Sequence, residues 1–351
     1  MQKAEVPYIM GEFCILDVEE EKDYSIWNSV IKQYFKNEPM LKADYYKLFS
    51  DSDNRGMAAF YRDNQDIIIY PFMKRGIPDF QQYFDIISAY GYGGPYASSG
   101  IQPYHWKDFW FMFDAWCHEH MIVSEVIKFG LFGNDACHYP GKIRGVMNNV
   151  VRTLEISIPD LYRDYEHKVR KNVKRAEKYQ LSFALAHTKD RIDDFLKIYY
   201  GTMDRRNAEK KYYFDKKFFQ VIDLKMKDNN RVFFVSYEGK PVSTELVLIS
   251  EENIYSYLGG TNPNYFEMRP NDFLKAKIIE WGHENGYKNY ILGGGYGKED
   301  GIYRYKKSFA PDGIKEFKIG SRVLNEEKYR EICIQKGVEV KDDFIPAYRR
   351  N

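Results

Sequence analysis

The chain has 351 residues, with 52 Lys or Arg against 51 Asp or Glu and a formal net charge of +1 at pH 7. A balance this close to zero excludes a globally basic nucleic-acid binder and leaves room only for a local basic patch. The length is large for one hydrophobic core and predicts two domains. Hydrophobic residues make up 44% and aromatic residues 17%, with 31 Tyr and 24 Phe. Most of these rings belong to cores and sheet surfaces, and tyrosine also suits the wall of a polar-ligand cleft. Cys14, Cys117, Cys137 and Cys333 are scattered without a CxxC spacing, which suits free thiols in a reducing, cytoplasmic setting. The opening MQKAEVPYIMGEFC lacks the basic-then-apolar order of a signal peptide, and no apolar run reaches the length of a membrane-spanning helix.

In chain order, residues 23–35 read as an amphipathic helix, and 57–62 and 67–73 as strands with Asp63-Asn64 in the turn between them. Residues 85–90 run into Gly91-Tyr92-Gly93-Gly94-Pro95-Tyr96, where backbone N–H groups can approach a ligand while rings flank it; a tight structural turn is the competing reading. A helix starting at Asp108-Phe109 ends in Trp116-Cys117-His118-Glu119 and is followed by a strand over 122–129. The same WxHE element recurs at Trp281-Gly282-His283-Glu284, again between a helix that starts Asp-Phe and a strand, which argues for two copies of one α/β unit. Residues 162–178 carry seven Lys or Arg against three acids at helical spacing, with Val169 and Val173 on one side. A solvated face is the ordinary reading of such a run, and a surface that meets phosphates is the functional one.

Residues 192–203 and 214–226 read as helices, followed by a meander over 231–237, 241–250 and 254–258 that turns at Glu238-Gly239-Lys240 and ends at Gly259-Gly260. Pro270 sits where a first helical turn tolerates proline, with Asn271 and Asp272 offering acceptors to the free N–H groups there. Leu274, Ile278 and Trp281 then form one apolar stripe, Gly286 closes the helix, and a strand over 287–292 ends in Gly293-Gly294-Gly295. A charged, Gly-rich loop follows, and the last stretch reads as a surface helix with a loose end. Backbone left bare after two strands is a common seat for a ligand's carbonyl or phosphates.

The pattern LGGT…RPNDFL…W…G…Y…LGGG…DGIYRYKKSF resembles the peptidoglycan-bridge (Fem-type) aminoacyltransferases and their relatives in the GNAT superfamily of N-acyltransferases. The resemblance is best over 162–320 and weaker over 67–134. With the element order it implies an α/β (α+β) fold of two tandem GNAT-like lobes, each a mixed, mostly antiparallel sheet flanked by helices. The expected division is an acceptor-holding lobe over 1–160, a basic linking helix over 161–180, and a donor-binding, catalytic lobe with a tail over 181–351. The implied reaction moves an acyl or aminoacyl group onto an amine of a cell-envelope precursor, either a peptidoglycan intermediate or a nucleotide- or lipid-linked amino sugar. Acyl-CoA or aminoacyl-tRNA would be the co-substrate, with no tightly bound cofactor, and a peripheral contact with a membrane-linked substrate is compatible with it.

Lys306, in Tyr305-Lys306-Lys307-Ser308-Phe309, matches the family's aromatic-lysine motif, which implies a place near the reaction centre as oxyanion stabiliser or phosphate contact. Lys307 is the confound. Asp300 is a candidate proton acceptor, against the reading of a loop cap before Gly301. Tyr92, Gly93, Gly94 and Tyr96 would hold the acceptor, and Arg170 would meet phosphates from the basic stretch. Arg269 begins the segment where ordinary GNAT enzymes carry a Gly-rich pyrophosphate loop, and the missing glycines leave the donor open. Gly293, Gly294, Gly295, Tyr303 and Arg304 complete the candidate set. Cys117, His118, His120, Cys137 and His138 follow no metal-ligand spacing. Two rivals stand beside this reading: a non-catalytic GNAT-fold binding module, and an RNA-binding protein that uses the basic helix with exposed tyrosines as a stacking surface.

Overall fold

The computed structural model describes residues 11–132, 136–186, 188–297, 299–340 and 346–350. Most of the stretch read for a signal peptide, and part of the expected loose end, lie outside the described residues. The chain divides into a first unit of Met1–Phe35, Met40–Val146 and Phe317–Asn351 and a second of Lys36–Pro39 and Met147–Glu316. The boundary expected at residue 160 and the linker expected over 161–180 therefore both fall inside the second unit.

The first unit runs through β1 (Glu12–Asp17), α1 (Glu21–Tyr34), α2 (Ala43–Lys47), β2 (Asn54–Asp63), β3 (Asp66–Ile77), β4 (Phe80–Ile87), β5 (Tyr96–Ala97), α3 (Pro103–Glu119) and β6 (Ile122–Lys128). Ile67, Ile68, Ile69 and Tyr70 form an unbroken buried run, the pattern of a strand covered on both faces. Helix α3 begins ahead of the expected Asp108 because Pro103 occupies its first position and Gln102 closes a reciprocal cap with His105, whose Nδ1 accepts from the Gln102 N–H at 2.9 Å. Strand β7 (Lys142–Thr153) starts in the first unit and ends in the second.

The second unit continues with α4 (Ile158–Asp164), α5 (His167–Glu177), β8 (Ser182–Ala186), α6 (Thr188–Arg205), α7 (Lys216–Lys225), β9 (Asn230–Tyr237), β10 (Lys240–Ile249), β11 (Asn253–Thr261), α8 (Pro270–Glu284), β12 (Asn289–Gly293) and α9 (Gly301–Lys307). Strand β13 (Ile314–Val323) takes the chain back to the first unit, and α10 (Glu326–Gln335) follows. Within the first unit β6 pairs antiparallel with β13 from Lys128↔Ile319 to Ser124↔Val323, which is why the C-terminal residues belong there. Helix α10 is the expected surface helix, anchored by one face: Tyr329, Ile332 and Cys333 pack with Ile77, Val123, Ala347 and Tyr348, while Glu326, Glu327, Arg330, Ile334 and Gln335 are exposed.

Strand order is β1-β2-β3-β4-β6-β13 in the first unit, with β5 on β3, and β7-β12-β11-β10-β9-β8 in the second. Neighbours are mostly antiparallel, but β4 pairs parallel with β6 and β11 with β12. In each unit one helix makes that parallel crossover, α3 or α8, and each ends on the WxHE element. Glu238 and Gly239 both have positive φ, 47° and 75°, which closes the β9–β10 hairpin in the tight geometry that matches strand twist. The basic stretch expected to link two lobes is α5, a core helix of the second unit. Its Val169, Val173 and Ala176 are buried with Leu274, Ile278, Phe233 and Tyr290, while its charges face outward. No helix of the described residues is long and apolar enough to cross a membrane.

Asp85 of β4 is fully buried and holds the C-terminal residues in place. Its Oδ1 accepts from Arg75 Nε at 2.8 Å, and its Oδ2 from Arg349 Nε at 2.9 Å and from the Tyr348 hydroxyl at 3.3 Å. Removing one partner of a buried ion pair costs about 3–5 kcal/mol, and the lower end applies here because Arg75 remains. Arg349→Ala should therefore lower stability by about 3 kcal/mol, read as a lower urea midpoint at constant slope. A change within about 0.5 kcal/mol, the range of a neutral surface substitution, would show that the carboxylate does not depend on Arg349.

Candidate functional site

The site begins where a sheet comes apart. Strands β11 and β12 pair only from Asn253↔Asn289 to Tyr255↔Ile291, after which β11 continues to Thr261 while β12 stops at Gly293. A bulge places Tyr257 as an extra residue opposite the step from Leu246 to Val247, which re-aims the side chains around it. The opened edge, residues 256–261, lines a cavity of about 460 Å³ whose other walls include Thr202, Arg206, Asn271, Lys275, Tyr305 and Lys306. Gly259-Gly260 does not end the strand as expected. A Cβ on Gly260 would lie 2.4 Å from Thr202 Oγ1 and 2.8 Å from the Ile198 carbonyl, so this glycine lets α6 lie directly on β11.

The floor of the cavity is a buried polar quartet. Lys275 Nζ donates to Glu245 Oε1 at 2.6 Å, to Ser256 Oγ at 2.8 Å and to the Tyr290 hydroxyl at 3.0 Å. The Tyr290 hydroxyl in turn donates to Glu245 Oε1. Burial pulls the Lys275 pKa below the ordinary lysine value, opposed by the Glu245 carboxylate beside it. The lysine is inside because α8 is apolar on almost every side: Phe273, Leu274, Ala276, Ile278 and Ile279 are all buried.

The charged Gly-rich stretch after β12 is not all loop, since its second half is α9. Asp300 caps this helix, its Oδ1 accepting from the Tyr303 N–H at 2.8 Å and its Oδ2 from Tyr296 N–H at 2.7 Å and Gly297 N–H at 3.3 Å. Partial burial would raise the Asp300 pKa, but the backbone donors of Tyr303, Tyr296 and Gly297 outweigh it and hold the carboxyl below its usual value. Both oxygens are engaged with backbone, so Asp300 has the capping role and not that of a proton acceptor. A Cβ on Gly295 would stand 2.1 Å from Asp300 Oδ1, so the close approach of that carboxylate requires the glycine.

Lys306 points into the first cavity and donates to the Gly294 carbonyl at 2.7 Å. Burial, and after it the Lys275 ammonium, pull the Lys306 pKa down to about 8. Lys307 lines a second cavity of about 700 Å³, together with Lys168, Asn172, Arg269, Tyr303 and Arg304. That separates the two lysines. Gly301 and Tyr305 line both cavities, so α9 forms a shared wall. In the second cavity the Tyr303 hydroxyl and Arg269 Nε are buried with no hydrogen-bond partner among the described residues. Arg269 itself is left-handed, φ 58°, a conformation that costs energy for a residue with a side chain. Asn172 donates to Asp272 Oδ1 at 3.0 Å and ties α5 to the start of α8, while Asn271 donates to the Tyr305 hydroxyl at 2.7 Å.

The structure thus gathers Arg269, Tyr303, Arg304, Lys306 and the Gly293-Gly294-Gly295 turn around α9. It does not bring the other candidates there. Arg170 donates to the carbonyls of Arg163 (2.7 Å) and Tyr165 and so finishes α4. Tyr92, Gly93, Gly94 and Tyr96 pack within the first unit. The Tyr92 ring meets Phe317 edge-on at 5.6 Å, the Gly93 N–H donates to Lys128 O at 2.8 Å, Gly94 has a φ of 94°, and Tyr96 pairs with Ile69 of β3. The structural-turn reading of that loop fits these contacts. His120 and His138 stack on Trp116 and Trp106. Glu245, Ser256, Lys275 and Tyr290 were absent from the candidate set. The available signal was weak: Glu245 stands directly before the apolar run Leu246 to Ile249, and Lys275 stands between Leu274 and Ala276.

Residues 163–307 match the family of acetyltransferase (GNAT) domains. Among solved structures, FemX shares the fold with a TM-score of 0.69 at 11% identity, over 88% of this chain and 98% of its own. The C-terminal domain (DUF2156) of a putative lysylphosphatidylglycerol synthetase from Agrobacterium fabrum superposes with a TM-score of 0.55 at 13% identity, over 88% and 94% of the two chains. A tandem GNAT protein from the clavulanic acid biosynthesis pathway gives 0.50 at 7% identity, over 90% and 99%. At these identities the likeness is one of fold. No curated protein matches the chain in sequence.

The charge coupling between the two buried lysines is directly measurable. Lys275→Met removes an ammonium that repels a proton on Lys306 and frees the attraction of Glu245. The Lys306 titration, followed by NMR on labelled lysine, should then move up from about 8 toward the ordinary lysine value near ~10.4. An unmoved titration would mean that the two ammonium groups do not sense each other.

Proposed function

From an acetyltransferase (GNAT) domain over residues 163–307, which makes the chain an acyltransferase of that type, we propose that the second unit transfers an acyl or aminoacyl group to an amine of a cell-envelope precursor. The observation that carries this reading is Lys306 on α9, aimed into a cavity at the point where β11 and β12 part. Acyl transfer to nitrogen develops negative charge on the carbonyl oxygen, and a fixed cationic donor in a water-poor cleft stabilises it strongly. A half-buried ammonium held at Gly294 is such a donor.

The second cavity suits the donor. Acyl-CoA and aminoacyl-tRNA are both polyanions, and Lys168, Arg269, Arg304 and Lys307 converge there, outnumbering the carboxylates of Glu166, Asp272 and Glu299 by one, with a buried hydroxyl that lacks a partner among the described residues. The acyl carbon would then reach the first cavity past Tyr305, which lines both. The fold shared with FemX and with a lysylphosphatidylglycerol synthetase domain supports an aminoacyl or acyl donor and an acceptor belonging to the envelope.

Two measurements test this reading. Titration with acetyl-CoA, and separately with charged and uncharged tRNA at two salt concentrations, should find one saturable donor whose affinity falls at least about tenfold in Arg269→Ala with Arg304→Ala, as expected for charge-assisted phosphate contacts. Binding of neither donor would defeat the proposal. The second is the pH dependence of turnover relative to Lys306→Arg, which keeps its charge throughout the range and cancels the titration of the amine. Lys306 acts as its ammonium form, so the ratio of wild-type to variant rate should be level below about 8 and fall as pH rises through it. A ratio independent of pH would contradict a role for the ammonium.

A further inference from the structure

A third cavity, of about 530 Å³, lies in the second unit against α6, within the size range of small-molecule sites. Lys197 and Gly201 line it from the helix, one turn apart. Lys240 and Pro241 at the start of β10, and Pro263 and Tyr265 after β11, line it from the sheet side. The side chains of Lys197 and Lys240 are exposed, and neither has an ion pair or hydrogen bond among the described residues. The single carboxylate lining the cavity among those residues, Asp194, is already held: Arg191 Nε and Nη2 donate to its Oδ2 at 3.0 and 2.9 Å. Two ammonium groups without counter-charges on a concave surface concentrate anions there. Gly201 is the second sign of a ligand. A glycine inside a helix costs stability against alanine, and packing does not require this one, since an added Cβ would meet no atom within 4 Å. Its effect is to leave the cavity open down to the helix backbone.

We propose that this cavity is a second ligand site, apart from the first cavity, for a small organic anion. Its carboxylate or phosphate is held by the Lys197 and Lys240 ammonium groups through charge-assisted hydrogen bonds. Its apolar body lies against Pro241, Pro263 and Tyr265, and its edge approaches the backbone at Gly201. The two sites stand back to back. Thr261 lines both cavities, and its N–H donates to Thr202 Oγ1 at 3.2 Å. The close contact of Gly260 with Thr202 and the Ile198 carbonyl closes α6 onto β11 beside it. A ligand in the third cavity therefore bears on a wall of the first without entering it.

The test needs neither donor nor turnover. Benzoate, phenyl phosphate and benzyl alcohol, three probes of similar size, are each titrated into the isotope-labelled full chain while the Gly201 and Thr261 amide signals are followed by NMR. At least one anion should bind saturably, move both signals, and bind about tenfold or more tighter than benzyl alcohol, the range for a hydrogen bond to a charged group. Tighter benzoate assigns the site to carboxylates, and tighter phenyl phosphate assigns it to phosphates. Lys197→Met/Lys240→Met should remove the preference for the anion, while Lys171→Met/Lys174→Met, at exposed positions on α5, should leave it in place. Gly201→Ala should raise the urea midpoint, as alanine inside a helix does, and still lower the anion's affinity several-fold. No saturable anion binding, a preference that survives Lys197→Met/Lys240→Met, or a Gly201→Ala protein that binds the anion as wild type does would overturn the proposal.

Discussion

A lysine ammonium inside a protein requires a counter-charge close at hand, because desolvation outweighs any packing gain. In the second unit that requirement falls on Lys275, which α8 buries and which Glu245 of β10 meets at 2.6 Å. The pair sits beneath the point where β11 leaves β12, and Ser256 and Tyr290, one from each of those strands, complete its hydrogen bonds. Three strands and one helix are thereby held around a single charged group. The cavity above it keeps its shape for the same reason.

Everything chemical in the site is arranged on that floor. Lys306 has its pKa pulled down to about 8 by burial and, after that, by the Lys275 ammonium in the same enclosure. Its helix exists because Asp300 caps it and Gly295 leaves room for the carboxylate. One face of α9 turns toward the quartet, and the other turns toward a charged cavity that holds a buried hydroxyl and an arginine nitrogen without partners among the described residues. A short helix as a wall between an acceptor side and a donor side explains why two adjacent lysines, Lys306 and Lys307, have different surroundings.

Much of this was readable from the sequence where the signal was local. The β9–β10–β11 meander, α8 with its proline start, and the WxHE recurrence all rest on periodicity and turn residues within a few positions of one another. The parts that were not readable depend on distant partners. Strand β13 carries alternating charges and pairs with β6 almost two hundred residues earlier, so nothing near it in sequence announces a strand. Arg170 and the Tyr92 loop look like ligand groups by composition, but the carbonyls of α4 and the Phe317 ring are what they meet. The glycines of residues 293–297 suggested open loop, and although Asp300 could be read as a cap before Gly301, only the fold shows that it caps a helix while reaching back to Tyr296. Glu245 and Lys275 lie thirty residues apart with nothing in the sequence to pair them, and only the fold reveals that each is the other's explanation.

The account turns on Lys306 acting in the transition state and not in holding the acceptor. The most direct measurement is the single-turnover rate of Lys306→Ala beside its dissociation constant for the acceptor. Loss of an oxyanion donor predicts a rate lower by about 10²–10³-fold with acceptor affinity nearly unchanged. A rate within a few-fold of wild type, or a rate and an affinity that fall together, would contradict it.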